Sequence, residues 1–199
     1  QITKKEIYAD VVEQTLAYVA REMTNPEGGF YSAQDAGEVK REGEFYVWEY
    51  EELEAALSPE EFRACKDFYS VSRIGNFEDA KNIFHIQNLS TWTERKSPLL
   101  KSAGEKLFAL RFQRVAPHLD DKVLVSWNGL MIAAYAKAYQ VFRNPDYLRA
   151  AQKSADFLMQ KLWQNGNLSR RYRAGEAKFS AVLEDYAFLI HGLLHLFES

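Results

Sequence analysis

Two pairs of carboxylates are the groups in this chain best placed for acid–base chemistry: Asp120 with Asp121, and Glu184 with Asp185. Each pair sits next to a long apolar run, in APHLDDKVLVSWNGLMIAAYAKAY (116–139) and LEDYAFLIHGLLHLF (183–197). One acid at such a place is explained by helix capping and by its attraction to the helix dipole. The second acid of each pair is surplus to that need and is free to line a pocket. Two neighbouring carboxyl groups can share the roles of general acid and of base or nucleophile, provided their environments push their pKa values apart. Burial beside Trp127 is expected to raise one acid's pKa enough to keep its proton near neutrality. His118, two residues before the first pair, adds a group that titrates in the same range.

The elements that must hold these groups follow from apolar periodicity. Residues 4–23 carry Ile7, Val11, Leu16, Val19 and Met23 at helical spacing, and NPEGGF ends that helix with a Pro–Gly break. GGFYSAQ and EFYVWEY read as a β-hairpin whose long tip contains Gly37 and Gly43. Short helices are predicted over 50–57 and 59–70, the second with Ser58 as N-cap and Pro59 at its first position. Residues 71–98 are irregular, with a candidate strand at 82–87; such a stretch is more often functional or ordered against a partner than idle. Helix returns over 99–114 and is stopped by Pro117. Three strong helices follow at 121–142, 146–163 and 183–198, with a turn or hairpin in LSRRYRAGEAKF.

The first and third of these helices are apolar nearly all round, whereas 146–163 has one apolar stripe and a polar back. Concentric inner and outer helical rings produce that alternation; a plain four-helix bundle would make its helices alike. The expected fold class is therefore mainly α, a single domain over 1–199 forming part of an α/α toroid, with small β-hairpin insertions.

A net charge of −3 gives no basic footprint for nucleic acid. The longest apolar run is interrupted by Asn128, Lys137 and Gln140, so no membrane span is expected. Cys65 is the single cysteine, which excludes an intrachain disulfide and suits a reducing, cytoplasmic setting. The start QITKKEIYAD enters helical periodicity at once and reads like a cut inside a longer protein.

Five segments carry a family resemblance: GGFYSAQDAG, EGEFYVW, GNFEDAKNIFH, APHLDDKVLVSWNGLMIAA and LEDYAFLIHGLL, in that order. Together they resemble the proteins that join a thioredoxin-like domain to a six-hairpin glycosidase-like toroid, the spermatogenesis-associated thioredoxin-like proteins and their bacterial relatives. The resemblance covers nearly the whole chain. It implies a toroid akin to N-acylglucosamine 2-epimerases and α/α-barrel glycosidases, of which this chain holds the first part. The thioredoxin-like domain and the rest of the ring are the partners it implies, and no redox function carries over. Two positions depart from the family pattern: Gly37, where another acid is common, and Ala116, where Arg is common.

On this reading Asp120, Asp121, Glu184, Asp185 and His118 are the candidate catalytic residues. If the two apolar helices run the same way, the acid pairs face one mouth, and carboxylates ~5–9.5 Å apart suit glycosyl chemistry. Trp127 would offer a platform to a sugar face and Asn128 would bond hydroxyls, with Tyr186 beside the second pair and Asp35 reaching over from the hairpin. His191 and His195, at i and i+4, lack the surrounding pattern of a metal motif and read as packing residues, so no metal or cofactor is assigned. The alternative is a non-catalytic binding or scaffold module that partners the thioredoxin-like domain. Acids that satisfy backbone amides and Arg partners would favour that alternative; acids that converge on an open cavity would favour catalysis. A truncated ring also predicts exposed apolar helix faces and self-association through them.

Overall fold

Apolar periodicity accounts for most of the elements in the computed structural model, which describes residues 2–37 and 43–199. In chain order these are α1 (Glu6–Glu22), β1 (Ala33–Gln34), α2 (Tyr50–Ala56), α3 (Pro59–Phe68) and α4 (Pro98–Arg111), with 3₁₀ turns at Glu78–Ala80 and Leu89–Lys96. Then come β2 (Leu119–Asp120), β3 (Val123–Leu124), α5 (Val125–Phe142), α6 (Pro145–Lys161), β4 (Trp163–Gln164), β5 (Asn167–Arg173), β6 (Glu176–Ser180) and α7 (Leu183–Phe197). The chain is mainly helical with small antiparallel sheets. The packing gathers into two compact units, Gln1–Gln34 with Leu119–Ser199, and Asp35–His118. Among the described residues no helix is long and apolar enough to cross a membrane.

The first unit is organised by α5 and α7. Gly129 of α5 faces Phe188 and Leu189, while further along the Gln140 amide donates to the His195 carbonyl, so the two helices run parallel. A Cβ on Gly129 would come within 2.2 Å of the Phe188 carbonyl oxygen, and one on Gly192 within 2.4 Å of the Gly129 oxygen. Backbone lies directly on backbone there. Between them α6 returns the chain: Arg143 takes a left-handed conformation, and Asn144 caps the next helix through its side chain, with Pro145 at the first position. The core collects Leu16, Phe30, Ile132, Tyr135, Leu158 and Leu189. The Tyr135 ring stacks on Phe30 and its hydroxyl donates to the Leu16 carbonyl at 2.7 Å, and burial pushes its pKa up to about 12.

LSRRYRAGEAKF folds as the hairpin that its Gly175 turn suggests, β5 pairing β6 with Tyr172 opposite Ala177. On its other edge β5 takes β4 and β3, with Val123 opposite Tyr172 and Leu124 opposite Arg171. This pairing corrects the expected helix start at 121. Val123, Leu124 and Val125 suit strand as well as helix, and the β5 edge claims the first two before α5 begins. Asp120 and Asp121 are therefore not helix-capping residues.

In the second unit α3 opens as expected. The Ser58 hydroxyl accepts from the Glu61 N–H, and the Glu61 carboxylate accepts from the Ser58 N–H at 2.8 Å, a reciprocal cap. Leu53, Phe62, Cys65, Phe68, Leu100 and Leu107 form the core beneath it. The hairpin read from GGFYSAQ and EFYVWEY is not formed; its tip, residues 38–42, lies outside the described residues. Ala33–Gln34 pairs instead with Leu119–Asp120. The carbonyls of Glu44, Phe45 and Val47 are taken by the Arg114 guanidinium, which leaves no ladder for a partner strand. The candidate strand at 82–87 reduces to one bridge, Asn82 to Trp48. Helix α4 ends at Arg111, ahead of Pro117.

Two outcomes are expected. Gly129→Ala should destabilise the first unit by about 3 kcal/mol or more in urea denaturation, because backbone atoms must move apart. Glu61, held by Lys106 Nζ, the Ser102 hydroxyl and the Ser58 N–H, has its pKa lowered from 4.5 to about 2. A depressed carboxylate contributes stability above its unfolded pKa and loses it as pH falls through the folded value. Unfolding followed between pH 5 and pH 2 should show that loss, and Glu61→Gln should flatten it.

Candidate functional site

Pairing of β3 with β5 brings the first acid pair against a basic strand. Asp121 is bonded by Arg173 Nε at 2.5 Å, in a pair whose side chains are both nearly half exposed. Asp120 is bound by Lys122 Nζ at 2.9 Å, and the same residue's N–H donates to it at 3.4 Å. Lys122, chiefly through that side-chain bond, holds the Asp120 pKa below its ordinary value, with Ser32 adding a smaller contribution in the same direction. The expectation of a raised pKa is thus corrected for Asp120: a cation beside it outweighs burial.

The second pair splits. Glu184 is exposed, whereas Asp185 is fully buried. One Asp185 oxygen accepts from the Val182 N–H at 3.0 Å and lies 3.9 Å from Arg170 Nε; the other has no hydrogen-bond partner among the described residues. Asp185 is thus the N3 member of the α7 cap, and Arg170 extends from the same β5 strand that neutralises Asp121. Three of the four acids, Asp120, Asp121 and Asp185, meet a cation or a backbone amide, and α5 and α7 begin at the same end.

Asn128 is committed elsewhere. Its Oδ1 accepts from the Phe30 N–H at 2.7 Å and from the Ser154 hydroxyl at 3.3 Å, and its Nδ2 donates to the Phe30 and Leu124 carbonyls at 2.9 and 2.8 Å. All four bonds of the amide are used, so none is left for a ligand hydroxyl and the residue clamps the GGF segment onto α5. Trp127, by contrast, is 51% exposed and Tyr186 37%. Their rings stand in the first turns of α5 and α7, open to solvent.

His118 and Asp35 belong to the second unit, where the Asp35 N–H donates to the His118 carbonyl at 2.9 Å. Both line a half-open concavity of about 1300 Å³ together with Glu44, Glu49, Glu52 and Lys81. Gly37 and Ala116 line it as well. Arg114 also borders it, but its guanidinium is engaged by Glu52 in a bidentate pair and lies 4.0 Å over the Trp48 ring. Burial pushes the Cys65 thiol up to about 12, which removes it as a nucleophile at neutral pH. The His191 and His195 rings pack edge to face at 4.7 Å. Among the described residues no three His, Cys, Asp or Glu side chains gather where they could hold a metal ion.

Sequence reasoning missed a second concavity, in the first unit. Tyr8, Val11, Val12 and Thr15 of α1 and Ala138 and Val141 of α5 line an apolar groove of about 590 Å³. The signal was present: α1 buries Leu16 and Val19, while Tyr8 and Val12, on the same face nearer the start of the helix, and Val11 beside them stay exposed as surplus apolar residues.

Over its full length the chain is 32% identical to spermatogenesis-associated protein 20 of Homo sapiens, and 32% identical to that of Mus musculus. An uncharacterized protein of Caenorhabditis elegans is 31% identical over 94% of the chain. The chain spans 31% of the human protein, 30% of the mouse protein and 31% of the nematode one. The similarity thus covers essentially the whole of this chain but only about a third of the length of the proteins it matches. No family model matches the sequence.

Substitution should separate the exposed acid from the buried clamp. Asp121→Asn is expected to cost under about 1 kcal/mol in urea denaturation, as solvent-exposed ion pairs do. Asn128→Ala strands the Phe30 N–H and carbonyl inside the core and should cost about 2–4 kcal/mol.

Proposed function

We propose that this chain is a non-catalytic binding and scaffold module of a longer protein, its helices forming part of an α/α toroid. The observation that carries the reading is the engagement of the acids: Asp120 by Lys122, Asp121 by Arg173, and Asp185 by the Val182 amide with Arg170 close by. A general acid needs a raised pKa and a base needs an open lone pair, whereas a carboxylate held by a cation is a structural counter-ion. Parallel α5 and α7 joined through α6 repeat the inner, outer, inner order that a toroid requires, and this supports the ring. The surface not used by folding is apolar rather than catalytic. It comprises the groove between α1 and α5 and the outer side of α7. The remainder of the longer polypeptide, including a thioredoxin-like domain, and a second copy of the chain are the partners this reading provides for.

A carbohydrate-active reading, glycosidase- or epimerase-like, is favoured by one feature. Trp127, Glu184 and Tyr186 are exposed in the first turns of two parallel helices that begin at the same end. Aromatic rings there could stack on a sugar face beside an acid. Turnover would require Asp121 to leave Arg173.

Thermal unfolding of the chain against a panel of mono- and oligosaccharides, with Asp121→Asn alongside, separates the two readings. The scaffold reading expects no sugar-specific rise in Tm for either protein. A rise that disappears in Asp121→Asn would overturn it in favour of carbohydrate chemistry at this end of the helices.

A further inference from the structure

We infer that the outer face of α7 of one copy of this chain seats in the α1/α5 groove of a second copy, a head-to-tail association. This rests on the reading of the chain as an interaction module and names the surfaces that interact.

The ridge comes first. Leu183, Tyr186, Ile190, Leu194 and Phe197 follow one another at steps of three or four residues, so they form a single stripe along α7. All five are exposed, from 37% at Tyr186 to 90% at Phe197. The opposite side of the same helix is fully spent, with Leu189 and Gly192 buried against α5. A stripe of this kind is the pattern by which an amphipathic helix enters an apolar groove.

The groove matches it in length and in charge. Along α1 its lining runs from Glu6 to Leu16, roughly 15 Å at 1.5 Å per residue, and the ridge from Leu183 to Phe197 is roughly 21 Å long. About three turns of the ridge therefore lie within the groove. The groove floor is apolar (Val11, Val12, Ala138, Val141), while Lys4 and Lys5 on one bank and Lys137 on the other stand at its rim with a single acid, Glu6. Two exposed carboxylates, Glu184 on α7 and Glu198 just past its end, sit near the two ends of the ridge, and α7 has no Lys or Arg. An acid-flanked apolar ridge thus meets a lysine-rimmed apolar groove.

Ridge and groove are different surfaces of one molecule, so the contact is heterologous. Each copy keeps one free ridge and one free groove, and assembly continues beyond the dimer unless a ring closes. The two surfaces can also be disabled independently, because Leu194 and Val11 are exposed and their substitution leaves the core untouched.

Light scattering across a concentration series of the 199-residue chain tests this. The wild type should grow beyond the 23.0 kDa monomer with concentration, and moderate salt should weaken the charge-steered part of that growth without abolishing it. Leu194→Asp and Val11→Asp should each weaken association about tenfold or more. Mixed together, the two variants should recover a stable species of twice the chain mass and nothing larger, because each supplies the surface the other lacks. A wild type that stays monomeric would overturn the proposal. So would a Val11→Asp protein that associates on its own as well as the wild type does, since that would mean α7 pairs with α7. A sugar-dependent Tm shift would count against the scaffold reading alone and leave this association result standing.

Discussion

The contact on which the first unit depends is that of Gly129 with the α7 backbone, close enough that a Cβ has no room. Two helices that meet through glycine and carbonyl atoms can approach only in a narrow range of positions, and here they run parallel. Parallel helices bring their positive dipole ends together at one end of the unit. The β5 strand adds Arg170, Arg171 and Arg173 there, because Val123–Leu124 pairs with it just ahead of α5. The acids Asp120, Asp121, Glu184 and Asp185 then have a plain electrostatic reason for their place. They offset two helix N-termini and a basic strand, and the bonds from Lys122 and Arg173 are the direct form of that balance.

Asn128 extends the same constraint sideways. It precedes Gly129 by one residue, so its side chain points away from α7 while the glycine packs against it. Three of the four amide bonds then hold Phe30 and Leu124 in register with α5, and the fourth, from the Ser154 hydroxyl, ties in α6. The Phe30 ring lands on Tyr135, whose hydroxyl reaches the Leu16 carbonyl, so α1 is tied to α5 through a chain of specific bonds as well as apolar burial. A residue that looks from sequence like a polar group for ligand hydroxyls is a structural fastener. The distinction lies in long-range partners: Asn128 and Phe30 are 98 residues apart.

Local signals were legible where local chemistry decides. Ser58 and Pro59 announce the start of α3, because capping is settled within four residues; Asn144 and Pro145 carry the same kind of signal for α6, one residue ahead of the start expected at 146. What could not be read is settled by distant residues. EFYVWEY has the alternation of a strand, yet Arg114 takes its carbonyls from about 70 residues away. Val123 and Leu124 would suit a helix, yet the edge of β5 holds them as strand. For the candidate site, residue types were legible, while the common direction of the two helices entered only as a condition that the contacts of Gly129 and Gln140 settle. The ion pairing was not legible, because Arg173 reaches Asp121 across 52 residues of sequence.

Helices α5 and α7 show why composition alone misjudges burial. Both are apolar nearly all round, and that pattern reads equally as a helix enclosed on every side. Helix α5 is indeed enclosed over most of its surface, with Ile132, Tyr135 and Ala136 almost wholly buried. Helix α7 is packed through Asp185, Leu189 and Gly192 and leaves Leu183, Ile190, Leu194 and Phe197 in water. Nothing in folding the unit requires those four to be apolar. Glutamate or lysine would keep the helix as stable and the surface more soluble. On the proposed association their apolar character follows from the groove that would cover them, and α7 would be buried twice: once against Gly129, and once in the α1/α5 groove of a second copy.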